Sequence, residues 1–143
     1  MLLLRRLFHG REQKKFLMIG LDAAGRTTSL YRFATRSAMA VSPIPTIGFN
    51  HEVFQHGAYD VAMWEVGGGD RIRALWKHYF NDLDVLCFTI DSSDTARFAE
   101  AIDELHRVLQ EPDLPPRALI VAMLTKVRAR ACVARVVLTF ACI

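Results

Sequence analysis

The order of apolar and polar positions divides the chain into short buried runs and amphipathic stretches. Phe16-Leu17-Met18-Ile19 is uncharged and apolar and stops at Gly20, the pattern of a strand covered on both faces and ended by a glycine turn. Comparable runs recur at residues 61–64, 85–90 and 119–124. Within residues 97–110, Phe98, Ile102, Leu105 and Leu109 recur at helical spacing while Glu100, Asp103, Glu104 and Arg107 face the other way, which predicts an amphipathic helix. A second helix is expected through Leu30, Tyr31 and Phe33. Alternation of buried strands and such helices predicts an α/β fold with a mainly parallel sheet. Residues 49–55, the turn Gln55-His56-Gly57-Ala58 and residues 59–66 read instead as an antiparallel hairpin, which belongs at the sheet edge.

The two ends differ from this body. Leu3, Leu4, Leu7 and Phe8 form one apolar stripe around Arg5 and Arg6, so residues 1–8, within an amphipathic segment 1–15, are expected to form a short interfacial or groove-docking helix. Arginines interrupt the leucines, unlike a secretory signal, whose charge precedes an unbroken apolar stretch. No apolar run approaches the ~20 residues that span a bilayer. A chain of 143 residues, 52% hydrophobic, is one domain with material for a core. Its net charge of +3 divides into +4 over residues 1–19, −6 over 20–113 and +5 from 114 onward. Basic ends around an acidic body do not make one nucleic-acid-binding face, and no nucleic-acid partner is expected. Attraction to anionic lipid heads fits them about as well as nucleic acid does, and plain solvated surface is the default reading. Cys87, Cys132 and Cys142 offer neither a disulfide framework nor paired zinc ligands, so reduced thiols in a cytoplasmic setting are expected.

Chemistry concentrates in Gly20, Leu21, Asp22, Ala23, Ala24, Gly25, Arg26, Thr27 and Thr28. They follow a buried strand and open a helix, the context of a phosphate-binding P-loop. Glycines let backbone N–H groups turn inward around phosphate oxygens, the helix N-terminus adds partial positive charge, and Thr27 supplies a hydroxyl for Mg²⁺.

Further along stand Pro45-Thr46-Ile47-Gly48-Phe49-Asn50, Trp64-Glu65-Val66-Gly67-Gly68-Gly69-Asp70-Arg71-Ile72-Arg73, Leu75-Trp76-Lys77-His78-Tyr79-Phe80 and Asp91-Ser92-Ser93-Asp94. In order and spacing these resemble the small GTPases of the ADP-ribosylation factor (Arf and Arf-like) family, from about Phe16 to about Val121. The resemblance implies a P-loop small-GTPase fold over residues 16–124, GTP or GDP and Mg²⁺ as cofactors, and a role in vesicle and membrane traffic. It implies that Gly20 to Thr28 wrap the phosphates and that Thr27 and Thr46 ligate Mg²⁺, with Thr46 engaging when a γ-phosphate is present. Gly68 N–H would hold that γ-phosphate, and Lys126 would cover the base. Exchange factor, GAP and effector proteins would be engaged through Phe49, Trp64 and Tyr79, for which core packing is the other reading.

The departures from the family pattern are as informative. Arg26 stands where the pattern has Lys, and Glu65 where it has Asp. Gly69 replaces the Gln that orients the attacking water, so no catalytic side chain is assigned and impaired hydrolysis is expected. In the guanine-reading segment Lys126 is kept, but Thr125 replaces Asn and Arg128 replaces Asp. An arginine has donors only and cannot accept from guanine. The alternative reading is a pseudo-GTPase binding module that keeps the effector surface and binds nucleotide weakly or not at all. A P-loop ATPase or kinase is disfavoured by the 45–50 and 64–68 segments. Residues 125–143 form a divergent basic and apolar tail, where the family's last parallel strand and helix are expected to be missing or replaced. Residues 131–143 could be an edge strand or a loosely packed helix. Leu2 lacks the glycine that N-myristoylation needs, leaving residues 1–8 as the expected contact with Golgi or other endomembranes.

Overall fold

The computed structural model describes residues 10–36 and 46–127, together with the backbone of the strand at 135–140. The amphipathic segment 1–8, Pro45, Arg128, Cys132 and Cys142 lie outside the described residues. The elements are β1 (Glu12–Gly20), α1 (Arg26–Thr35), β2 (Phe49–His56), β3 (Tyr59–Val66) and α2 (Asp70–Arg73). A 3-10 turn (Trp76–Tyr79), β4 (Val85–Asp91), a second 3-10 turn (Thr95–Arg97), α3 (Phe98–Leu109), β5 (Leu119–Thr125) and β6 (Arg135–Phe140) follow.

These strands form one sheet in the order β2-β3-β1-β4-β5-β6. β3, β1, β4 and β5 run parallel to their neighbours among themselves, which is where the uninterrupted apolar runs lie. Period-two alternation then sends successive side chains to opposite faces. Leu17, Ile19, Leu86, Phe88, Ile90 and Ile120 pack with Trp76, Phe80, and the α3 residues Ala101, Leu105 and Val108. Met18, Cys87 and Met123 point to the other face with Val61, Met63 and Leu30 of α1. Burial pushes the Cys87 thiol up to about 12, so this sulfur is packing material rather than a nucleophile. None of the described helices is long and apolar enough to cross a membrane.

The hairpin lies where its pattern puts it. β2 is an edge strand paired antiparallel to β3, from Phe49 opposite Val66 to His56 opposite Tyr59. The two-residue turn between them uses Gly57 at φ 57, a left-handed position that glycine adopts without a Cβ penalty.

The helix predicted over 97–110 is present but rotated. Ala101, Leu105 and Val108 face the core, while Phe98 stays 45% exposed. Arg97 belongs to the preceding 3-10 turn, where the Asp94 carboxylate accepts from its N–H. Small Ala101 lets the helix approach the sheet closely, and Ile102 and Leu109 flank the contact. Phe33 of α1 is likewise 46% exposed, and Leu30 anchors that helix. The tail resolves to the edge-strand alternative. β6 runs antiparallel to β5, from Ile120 opposite Phe140 to Leu124 opposite Arg135, with an irregularity between Val121 and Met123.

Candidate nucleotide-binding site

The carboxyl ends of β1, β3, β4 and β5 meet at one end of the sheet, the place where ligands of parallel α/β folds bind. β1 ends at Gly20, whose φ of 145 and contact with β4 leave no room for a side chain, because a Cβ there would overlap the Thr89 carbonyl oxygen. Ala23 (φ 58) and Gly25 (φ 78) then take left-handed conformations. Left-handed residues in such a turn aim successive N–H groups into a concave nest suited to an anion. Gly25 caps α1 without a side-chain hydrogen bond, so the first amides of the helix join the nest. Leu21 and Ala24 are buried beneath the loop, and Thr27 and Thr28 lie half-buried in the first turn of α1.

Arg26 is held by the loop's own backbone. Its side chain is 4% exposed and turns back, with Nη1 donating to the carbonyl oxygens of Gly20 and Leu21. Nε lies 3.7 Å from Glu65 Oε1 and has no hydrogen-bond partner among the described residues. Burial pushes its pKa down and Glu65 opposes the change; a guanidinium stays charged in such a place.

Glu65, 1% exposed, is the hub. Its Oε1 accepts from Thr27 Oγ1 at 2.7 Å and from Thr46 Oγ1 at 3.1 Å, and the two hydroxyls are 3.1 Å apart. Oε2 accepts from Asn50 Nδ2 at 2.7 Å. Two hydroxyls and a carboxylate beside a phosphate nest are hard oxygen donors of the kind Mg²⁺ takes together with phosphate and water.

The Gly67-Gly68 segment is seated on the loop. Gly67 N donates to Gly48 O at 2.8 Å, Trp76 Nε1 donates to Gly67 O at 2.9 Å, and Arg73 Nε donates to Gly68 O at 2.9 Å. A Cβ on Gly68 would overlap the Gly20 carbonyl oxygen and lie 2.5 Å from Asp22 N. Arg73 is anchored by Asp70 at 3.0 Å, Glu100 at 2.8 Å and Glu104 at 3.4 Å, which ties this segment to α3.

On the far side of the loop, Thr125 Oγ1 donates to Ala24 O at 2.7 Å, and Lys126 Nζ donates to Ala23 O at 2.9 Å and Asp91 Oδ2 at 2.6 Å. Burial alone would raise the Asp91 carboxyl, but hydrogen bonds from Lys126 and Ser93 hold it below the usual carboxylate range. Arg97 Nη1 donates to Asp22 Oδ1 at 2.9 Å.

Phe49, Trp64 and Tyr79 come together, with ring centroids 5.3, 5.9 and 6.1 Å apart. His51 extends the cluster, 4.1 Å from the Trp64 ring. Phe49 is 54% exposed, while Trp64 and Tyr79 are partly buried and lean on the core. The cluster thus has both a surface side and a packing side.

A sequence model of the ADP-ribosylation factor family matches residues 1–137. The chain belongs to that family. Its fold is similar to the structure of the Arl6 BBS3 small GTPase from Trypanosoma brucei with bound nucleotide analogue GppNp. The identity is 27% and the TM-score 0.67, covering 86% of this chain and 72% of that one. Arf-family proteins are GTP-binding small GTPases that take GTP or GDP with Mg²⁺. The residues of this Arf-family chain fit such a ligand in two respects, the left-handed loop with its uncapped helix and the oxygen set of Thr27, Thr46 and Glu65.

Three groups at the site escape a reading of the sequence by motif. Asn50 positions Glu65, Trp76 and Arg73 clamp the Gly67-Gly68 carbonyls, and Arg97 holds Asp22. Asn50, Arg73 and Trp76 stand inside the quoted family segments and Arg97 outside them; Asn50 and Arg97 bond to residues 15 and 75 positions away, which motif spacing does not reveal.

Proposed function

We propose that this Arf-family chain is a guanine-nucleotide switch acting at the cytoplasmic face of endomembranes such as the Golgi, in vesicle traffic, with slow hydrolysis. The observation that carries the nucleotide reading is the convergence of the Thr27 and Thr46 hydroxyls on Glu65 beside the left-handed loop. Thr27, Thr46 and Glu65 would hold Mg²⁺, which supplies charge neutralisation for the terminal phosphates. Residues 20–28 would hold the phosphates, Gly68 N–H would meet the γ-phosphate, and the Lys126 stem would lie along the base. The membrane role, the contact through residues 1–8 and the use of Phe49, Trp64 and Tyr79 toward effectors, exchange factor and GAP rest on family resemblance. The clustering of the three rings supports the last of these.

A second reading, a pseudo-GTPase module, is favoured by one feature: Arg26 is committed to the loop's own carbonyls and to Glu65. Mass spectrometry of nucleotide released from the purified, denatured protein separates the two, guanine nucleotide supporting the switch and none supporting the module. Titration calorimetry of Thr27→Ala checks the site itself. Mg²⁺-dependent affinity for GDP is expected to fall at least roughly tenfold with loss of a metal ligand, and equal affinity rejects the assignment.

A further inference from the structure

We infer that Arg26 and Glu65, the two substituted charges of this site, act as one latch: the Arg26 guanidinium serves as a built-in counter-ion that keeps a divalent cation off Glu65, Thr27 and Thr46 until phosphate draws the guanidinium away. The inference deepens the nucleotide-site reading and rests on it for where metal and phosphate go.

The argument starts from burial. Arg26 is 4% and Glu65 1% exposed, and their charged atoms approach to 3.7 Å. A buried charge is tolerated when an opposite charge and hydrogen bonds replace its lost water. Glu65 has both, with three donors from Thr27, Thr46 and Asn50 and the cation beside it. Arg26 has the Gly20 and Leu21 carbonyls, but its Nε has no hydrogen-bond partner among the described residues and lies beside the same cluster. Its commitment is therefore strong enough to hold and incomplete enough to be exchanged.

The oxygen set around Glu65 is otherwise a cation site, and at such distances in a poorly solvated interior a resident guanidinium opposes an arriving dication strongly. Phosphate changes the balance. Guanidinium matches phosphate oxygens in a two-pronged geometry, so an anion in the nest offers Arg26 an alternative partner and leaves Glu65 for Mg²⁺. The consequence is mutual dependence: metal without phosphate binds poorly, and so does phosphate without metal. The longer Glu65 arm is what permits the pairing, because its carboxylate reaches Thr27 and Thr46 directly while Asn50 holds the second oxygen.

The test uses the whole chain and the separate ions, read by thermal unfolding midpoints. Wild type is expected to shift by less than about 1 °C with 10 mM Mg²⁺ alone or with inorganic pyrophosphate alone. Arg26→Gln unfolds at a lower temperature without ions and is raised by Mg²⁺ alone by roughly 3 °C or more. Glu65→Gln loses any Mg²⁺ response and gains one of similar size to pyrophosphate alone, because Arg26 then keeps the Gly20 and Leu21 carbonyls but not its nearest charged partner. Should Arg26→Gln not fold, the Glu65→Gln response to pyrophosphate decides. The latch is overturned if Mg²⁺ alone stabilises wild type as much as Arg26→Gln, or if neither variant gains its ion. Wild type is also heated with Mg²⁺ and GDP together: no shift there sinks the nucleotide reading, and that outcome is distinct because the ion responses contain no nucleotide.

Discussion

Gly68 and Gly69 are adjacent and chemically identical, yet the structure allows them opposite fates. Gly68 has its α-carbon against the Gly20 carbonyl and the Asp22 amide, so any Cβ collides with backbone. Gly69 has φ −66 and ψ 149, an ordinary extended conformation, and nothing within 4 Å of a Cβ built there. Gly68→Ala should therefore cost about 1–3 kcal/mol, as overpacking does, and urea denaturation checks it. Gly69→Gln should change stability by less than about 1 kcal/mol in the same assay. In protein preloaded with GTP, the same substitution should raise single-turnover hydrolysis roughly tenfold or more, because little but water positioning is missing at that point. An unchanged rate with successful loading would remove position 69 from the account of slow hydrolysis.

At the scale of elements, the ends of β4 and β5 are tied to the phosphate loop by Lys126, which sits between Asp91 and the Ala23 carbonyl. Because the Asp91 carboxyl is held below its usual range in the folded chain, it binds fewer protons there than in the unfolded chain. Its contribution is present above the ordinary carboxylate pKa and is lost as pH falls through the lowered folded value. Asp91→Asn should cost about 1 kcal/mol at neutral pH. The gap to wild type should narrow as pH drops below about 4. A gap that stays constant from neutral pH to acid would mean that the Lys126 contact does not carry the effect.

Taken whole, the molecule is a parallel centre with an antiparallel strand on each flank, β2 on one side and β6 on the other. The flanks have different work. β2 carries Phe49 and His51 to the surface against the partly buried Trp64 of β3, and β6 gives β5 a paired neighbour on its outer side. An unpaired strand edge beside a hydrophobic core invites aggregation. Val136, opposite Met123 in the β5·β6 register, is the place to test this. Val136→Pro fixes φ near −65° in a backbone paired as an antiparallel strand and should destabilise the β5·β6 pairing. Hydrogen exchange should then show lost protection along β5 but not along β1. Unchanged exchange in β5 would mean that β6 does not cover it.

Local order is what the sequence by itself determined. Apolar runs ending at glycine or a short polar turn set β1, β4 and β5, a two-residue glycine turn set the hairpin, and the loop from Gly20 to Thr28 was legible from its glycines and its place between a buried strand and a helix. The rotation of α3 was not, since a helical stripe specifies an apolar side but not which residue, Ala101 or Phe98, makes the close approach. Nor was the direction of β6, because an apolar segment pairs with an edge either way. The largest gap is the site. Thr27 meets Glu65 across 38 positions, Asn50 meets it across 15, and Thr125 reaches Ala24 across 101. Arg26 reads from sequence as a cation of the phosphate loop, and only the folded structure sets it against the Gly20 and Leu21 carbonyls beside Glu65. Motif spacing names the side chains near a ligand, but hydrogen bonds among them depend on distances of a few tenths of an ångström, which the tertiary packing of β3 against α1 decides.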